Sequence, residues 1–357
     1  VPFTMTSGMF LSGILTPLLT SRFRLNRLLA ASQIMKAIFT TGFAAILPFI
    51  NPGNYWLIFI AILLTALCDG FANPISQALI PHYVEADQLV KANGIFEGVY
   101  QTINTGVWLA GGRFLLFLNS GQLIWVVAAL SLFSSLLLCL LEGTATGTEE
   151  DRQQGLHPIK DGWHTLFRTP VLKKIARVEL LETIGGTVWI AAILYVYVEE
   201  VLNTGRQWWG FINGLFFCGL ILGGLLFVRF DRFADRHLPK LIITGLFGGA
   251  AATALFGLNS SPMAALLLSL IVGLAGQMVA IPKQTLIQTS VPESRLANVY
   301  ASLGVLGTAV FGIASLLIGI TVDWLGVRAV FLISSAALLA AAVLVFSSRK
   351  IFVRSTP

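Results

Sequence analysis

The chain has 357 residues, of which 56% are hydrophobic and only 11% charged, and its mean hydropathy is +0.82. A soluble domain is about 45–50% apolar and about 25% charged, and one core of this size cannot hide the excess. Three cysteines exclude a disulfide scaffold and the hydrophobicity excludes intrinsic disorder. The net charge of +6 is scattered between apolar runs rather than gathered into a basic surface, so nucleic acid is not an expected partner.

A helix crosses the hydrocarbon core with about 20 apolar residues. Eleven runs meet that length, near 3–20, 28–50, 55–80, 93–118, 122–141, 175–200, 207–229, 240–258, 261–286, 296–320 and 327–347. They are continuous rather than alternating with period two, which excludes a transmembrane barrel. The sequence therefore predicts an all-α, multi-pass membrane protein.

Basic residues mark the cytoplasmic side of such a protein. The loop Ser21–Arg27 holds Arg22, Arg24 and Arg27, and alternate loops from there carry 18 of the 23 Lys and Arg residues. Lys283 and Arg295 are counted with those loops. The links on the other side, Asn51–Asn54, Asn119–Gln122 and Asn259–Pro262, carry no charge. Residues 142–174 form the longest non-apolar stretch and divide the chain into a bundle at 1–141 and a bundle at 175–357. Within that stretch, 159–172 reads either as an interfacial amphipathic helix with Trp163, Leu166 and Phe167, or as part of a solvated linker.

The chain repeats itself. Gln77-Ala-Leu-Ile-Pro-His-Tyr-Val84 aligns with Gln284-Thr-Leu-Ile-Gln-Thr-Ser-Val291 at an offset of 207, and Arg22-Phe23 falls on Arg229-Phe230 at the same offset. After a slip of two, Ala92-Asn93 meets Ala297-Asn298. Both copies leave a span in the same direction, so the halves are parallel repeats of six helices. The span at 175–200 then calls for a partner ahead of Val1, and eleven spans are expected to represent a set of twelve.

With these motifs the sequence resembles the major facilitator superfamily over its whole length. More narrowly, Gln77 to Asn93 and the Arg22…Arg27-Leu-Leu loop are similar to the bacterial drug-exporter branch of macrolide-efflux and enterobactin-exporter proteins. The resemblance implies two pseudo-symmetric bundles and a cytoplasmic gate loop, Gly-x-x-x-Asp-Arg-x-x-Arg in the superfamily. Arg22 and Arg27 stand for that loop in the first half, where Pro17 and Ser21 replace its glycine and aspartate, and Arg229, Asp231 and Arg232 stand for it in the second half.

Charges at membrane depth are costly and usually functional. Asp69 lies deep in its span, and Thr65, Asp69, Asn73, Ser76 and Gln77 share one helical face, either lining a cavity or packing as a polar seam. Lys36 is within reach of Asp69 or Glu97, as a structural ion pair or a substrate contact. Glu179 and Glu182, three apart, share a face of the span that opens the second half, with Glu182 near mid-depth and Glu179 also able to pair with Arg177. A neutral carboxylic acid is far cheaper to bury than a carboxylate, so Glu182, Asp69 and Glu179 are the candidates for proton coupling. Asn73, Gln77, Lys36, Arg113 and Trp189 are the candidates for a substrate cavity, with a membrane-interface belt the other reading of Trp189 and outward snorkelling that of Arg113.

No Gly-Lys dipeptide occurs, so a phosphate-cradling loop is absent, and His-Glu-x-x-His, Gly-x-Ser-x-Gly and Cys-x-x-Cys are absent too. The expected function is secondary active transport by alternating access, as proton-coupled efflux of amphipathic drug-like compounds from a bacterial plasma membrane. Proton-coupled uptake of a small metabolite is the alternative within transport, and a membrane-embedded enzyme is a distant third. The expected partners are a small-molecule substrate, protons and the lipid bilayer. The protein is expected to act as a monomer with no cofactor and no metal.

Overall fold

A computed structural model describes residues 2–140, 158–189 and 191–352. Every regular element among these residues is helical: α1 (Pro2–Thr20), α2 (Leu25–Ile46), α3 (Trp56–Tyr83), α4 (Leu89–Phe117), α5 (Ser120–Cys139), α6 (Pro158–Arg168), α7 (Pro170–Gly186), α8 (Ala191–Glu200), α9 (Gln207–Arg229), α10 (Asp231–Arg236), α11 (Leu238–Leu258), α12 (Pro262–Ser290), α13 (Glu293–Leu325) and α14 (Val327–Ser347). Short 3-10 turns follow α2, precede α4 and follow α7.

Local chemistry sets many of the boundaries. Asn119 opens α5 with a reciprocal cap, since its Oδ1 accepts from the Gln122 backbone N–H at 2.8 Å while Gln122 Oε1 accepts from the Asn119 N–H at 2.9 Å. Pro170 and Pro262 begin α7 and α12, where a missing N–H costs nothing. Gly326 separates α13 from α14 with φ +78°, a left-handed conformation that suits glycine.

Among the described residues nine helices are long and apolar enough to cross a membrane: α1, α2 with its following turn, α3, α5, α9, α11, α12, α13 and α14. The run expected at 175–200 is a bent pair, α7 with its turn followed by α8 at 48°, and counts as a tenth span when taken as one. The eleventh expected run is α4, a continuous helix of 29 residues. It is not among the nine, and Asn93, Glu97, Gln101 and Asn104 recur along it. Lipid-compatible side chains face outward, as with Leu130, Phe133 and Leu136 of α5, each more than 60% exposed.

The chain forms two compact units by contact. One comprises Val1–Tyr83, Ala110–Arg168 and Val291–Ala309. In it α3 packs against α1 and α2, and α2 against α5, around Leu28, Leu29, Ala72, Ile75 and Leu79. Helix α6 belongs to this unit. Leu166 is fully buried, Thr165 is buried, and a side chain at Gly162 would collide with Ser302 Oγ and the Asn298 carbonyl. The amphipathic stretch of the central loop therefore spends its apolar face on protein, with Phe167 left exposed.

The other unit comprises Val84–Leu109, Thr169–Ser290 and Val310–Pro357. Here α12 is the central element, packed on α9, on α11 and, through ionic contacts, on α7. Helices α9 and α12 approach so closely that a Cβ at Gly219 would overlap the Leu270 carbonyl and one at Gly273 the Phe216 carbonyl. Only glycine fits either place. Both units draw on segments from each side of the central loop.

Candidate functional site

The densest polar constellation lies in the second of these units. Helix α7 carries Glu179 and Glu182 at i and i+3, which puts both carboxylates on one face. From α12, Lys283 reaches between them. Its Nζ donates to Glu179 Oε2 at 2.7 Å and to Glu182 Oε2 at 2.6 Å. The three side chains keep only 14% (Lys283), 30% (Glu179) and 21% (Glu182) of their exposure. Glu179 is thus bonded across to α12 rather than to Arg177.

Lys283 is the member that the sequence hides. It follows Pro282 near the end of an apolar run and reads as a loop charge. Helix α12 in fact continues to Ser290, because its polar end finds partners on neighbouring helices. The available signal was the position of Lys283 inside the run at 261–286, where an ammonium needs an anion.

The next residue faces elsewhere. Gln284 Nε2 donates to Glu97 Oε1 of α4 at 3.0 Å, and Gln101 Nε2 approaches Glu97 Oε2 at 3.4 Å. One turn nearer the start of α4, fully buried Asn93 exchanges amide hydrogen bonds with Gln288, at 2.7 Å and 3.2 Å, and also donates to Thr285 Oγ1 at 3.1 Å. Glu97 was read from the sequence only as a possible partner of Lys36.

In the first unit Lys36 Nζ meets Asp69 Oδ1 at 2.6 Å, joining α2 to α3, with the two side chains 27% and 35% exposed. Of the remaining α3 stripe, Asn73 is exposed while Thr65, Ser76 and Gln77 are half-buried. The hydroxyls of Thr65 and Ser76 donate to carbonyls of their own helix. The repeat-related asparagine, Asn298, accepts from Thr20 Oγ1 at 2.7 Å, and His82 Nε2 lies 3.3 Å from Glu293 Oε2.

Trp189 lies in a packed aromatic cluster of the second unit. Its ring is 4.8 Å from that of Phe256, 5.7 Å from Phe331 and 6.0 Å from Phe216, and Tyr197 stacks into the same group. The side chain of Arg113 lies outside the described residues. Arg22, Arg27, Arg229 and Arg232 are exposed, and among the described residues none is ion-paired with a carboxylate. Asp231 Oδ1 accepts from the backbone N–H of its neighbour Arg232, and the Arg229 guanidinium lies 5.4 Å over the Phe230 ring. Other inter-helix contacts are Thr20–Asn298 and His82–Glu293 in the first unit and Asn93–Gln288 in the second.

Bundled apolar helices joined by ionic contacts fit more than one class of membrane protein, and comparison with known proteins decides which. A sequence profile of the Major Facilitator Superfamily matches residues 3–230 and again 183–355. The chain belongs to that superfamily. It is 31% identical over 335 residues to the uncharacterized MFS-type transporter YfmI of Bacillus subtilis (strain 168), covering 93% of this chain and 82% of that protein. It is 27% identical over 268 residues to the multidrug efflux pump Tap of Mycolicibacterium fortuitum, covering 73% of this chain and 64% of the pump. In fold it matches the crystal structure of the E. coli fucose:proton symporter FucP with a TM-score of 0.77 over 99% of this chain and 90% of that one, at 13% identity. This superfamily member is a multi-pass membrane transporter and not an enzyme.

Proposed function

We propose that the chain works by alternating access as a proton-coupled exporter of amphipathic, drug-like compounds, with Glu182, Glu179 and Lys283 as its coupling site. The observation that carries the reading is the ionic triad itself. Charged side chains withdrawn from water inside apolar helices are costly, and a proton taken up by one carboxylate changes the charge that its helix must accommodate. The similarity to Tap favours export. The two repeat halves, 1–141 and 175–357, are the bodies that rock about a midplane site, in a bacterial plasma membrane and as a monomer.

Reconstitution tests this directly. The full-length protein in proteoliposomes, given an imposed ΔpH and a panel of amphipathic compounds, is expected to move at least one of them uphill. Glu182→Gln keeps the shape and removes the titration. It should abolish ΔpH-driven flux while leaving exchange between equal substrate pools intact. Uphill transport by Glu182→Gln at the wild-type rate sinks the assignment, and flux in the same direction as the proton replaces export with uptake symport.

A further inference from the structure

The two asparagines that the repeat relates, Asn93 and Asn298, each reach from one half of the chain to the other. Asn298 of α13 meets Thr20 of α1, and Asn93 of α4 meets Thr285 and Gln288 of α12. Thr20 and Asn93 both stand beside basic loop segments, Ser21–Arg27 and Lys91. Two seams between the halves can therefore be compared: α1 with α13 in the first unit, and α4 with α9 and α12 in the second.

The seams are built unequally. At the repeat offset of 207 the counterpart of Thr20 is Phe227, a buried side chain with no hydroxyl to offer. Asn93 bonds to α12 instead, where it is fully buried and takes part in three hydrogen bonds. The Asn298 side chain accepts from Thr20 Oγ1, and both residues are half-buried. The Thr20 hydroxyl also lies 3.2 Å from the Pro17 carbonyl of its own helix, so it keeps a partner when the seam parts. The further contact to α13, between His82 and Glu293, leaves 52% of the glutamate side chain in water.

The backbones differ in the same direction. A Cβ at Gly94 would lie 3.2 Å from the Gly224 carbonyl oxygen and from Phe227 Cβ, and one at Gly224 would lie 3.2 Å from Gly98 Cα. Helices α4 and α9 thus meet backbone to backbone. Across the other seam Gly13 of α1 faces a side chain, with Val305 Cγ2 2.6 Å from its Cβ position.

Building on alternating access as proposed above, we infer that the cytoplasmic face opens asymmetrically: the α1–α13 seam parts, while the α4–α9–α12 seam stays closed and serves as the hinge. Parting the first seam exchanges a half-buried hydrogen bond and a partly exposed ionic contact for water, at small net cost. Parting the second would take three hydrogen bonds from a fully buried amide, in surroundings that penalise an unpaired polar group. Glycine surfaces without interlocking side chains also let α4 turn against α9 through a small angle while staying in contact. Helix α6 packs on α1 and α13, but it is seated on α13 by Gly162 and leads into α7 through Thr169 alone, so it travels with the second half.

The test uses full-length protein with Cys68, Cys139 and Cys218 replaced by serine. Gly13→Cys with Val305→Cys bridges the first seam, and Gly94→Cys with Phe227→Cys bridges the second, each near the Cβ separation that a disulfide spans. Pairs that keep the wild-type size-exclusion profile are oxidised, reconstituted and assayed for ΔpH-driven flux. The 13–305 disulfide should lower flux about tenfold or more, with recovery on reduction, whereas the 94–227 disulfide should leave at least about half. Labelling with N-ethylmaleimide gives a readout that needs no transport: buried Val305→Cys alone should react about tenfold faster than buried Gly94→Cys alone. Equal loss of flux from the two disulfides, full flux through the 13–305 disulfide, or equal labelling rates overturns the inference. Failure of either pair to oxidise shows that its seam does not close as described, and overturns it too. If the reduced proteins move no compound of the panel, the proposed function falls, and the labelling rates still decide between one opening seam and two.

Discussion

Lys283 and Gln284, consecutive on α12, are bonded to carboxylates on two different helices: Lys283 to Glu179 and Glu182 of α7, and Gln284 to Glu97 of α4. Neighbouring residues of a helix point about 100° apart, so one element can hold an ion triad on one side and an amide–carboxylate bond on the next. A rotation or tilt of α12 would disturb both contacts at once.

Asn93 should matter for stability more than its size implies. It is fully buried, and removing it takes away the hydrogen bonds it exchanges with Gln288 and the one it gives Thr285. Losing hydrogen bonds between buried groups costs about 1–3 kcal/mol. We expect Asn93→Ala to lower the thermal unfolding midpoint in detergent by several degrees. Asn298→Ala, which deletes the single bond from Thr20, should cost about 1 kcal/mol. Equal midpoints for Asn93→Ala and wild type would show that the amide pair contributes nothing.

The approach of α9 to α12 predicts a sharp contrast among glycines. Gly219→Ala and Gly273→Ala each force backbone apart and should cost about 1–3 kcal/mol as overpacking does. Gly248→Ala meets nothing within 4 Å. It should leave stability unchanged or raise it by up to about 1 kcal/mol through helix propensity. A single thermal-shift series containing all three variants checks the ordering.

Trp189 is a test of packing against binding. Its ring touches Phe256, Phe331 and Phe216, and among the described residues the indole N–H has no hydrogen-bond partner. Trp189→Phe should therefore cost less than about 1.5 kcal/mol, and Trp189→Ala about 3 kcal/mol or more. Neither should change the substrate KM of the protein that folds. A large KM change in Trp189→Phe with unaltered stability would return this residue to a substrate cavity.

Asp69 should behave as half of an ion pair rather than as a coupling group. Asp69→Asn is expected to cost about 1 kcal/mol, in the range of partly exposed pairs, and to leave ΔpH-driven flux in place. Exchanging the charges, Lys36→Asp with Asp69→Lys, should recover most of that loss. Abolition of ΔpH-driven flux by Asp69→Asn alone would move the coupling site to the other unit.

Much of this protein was legible before any coordinate. Apolar runs of about 20 residues can satisfy their backbone only as helices in lipid, so composition and run length fixed the class and most of the spans: 207–229 and 327–347 coincide with α9 and α14. The i,i+3 spacing of Glu179 and Glu182 placed two carboxylates on one face without further information. Their cation was not legible. Lys283 is 101 residues from Glu182, and its place inside the run at 261–286 says that it needs an anion but not which one. The same holds for Glu97, whose amide partner is 187 residues away, and for Trp189, an aromatic residue that reads as belt or cavity until Phe256 and Phe331 close around it. Sequence determines which groups must escape lipid or find a partner, because that cost is paid residue by residue. Which partner each one finds depends on how distant helices pack, and only the tertiary structure decided it.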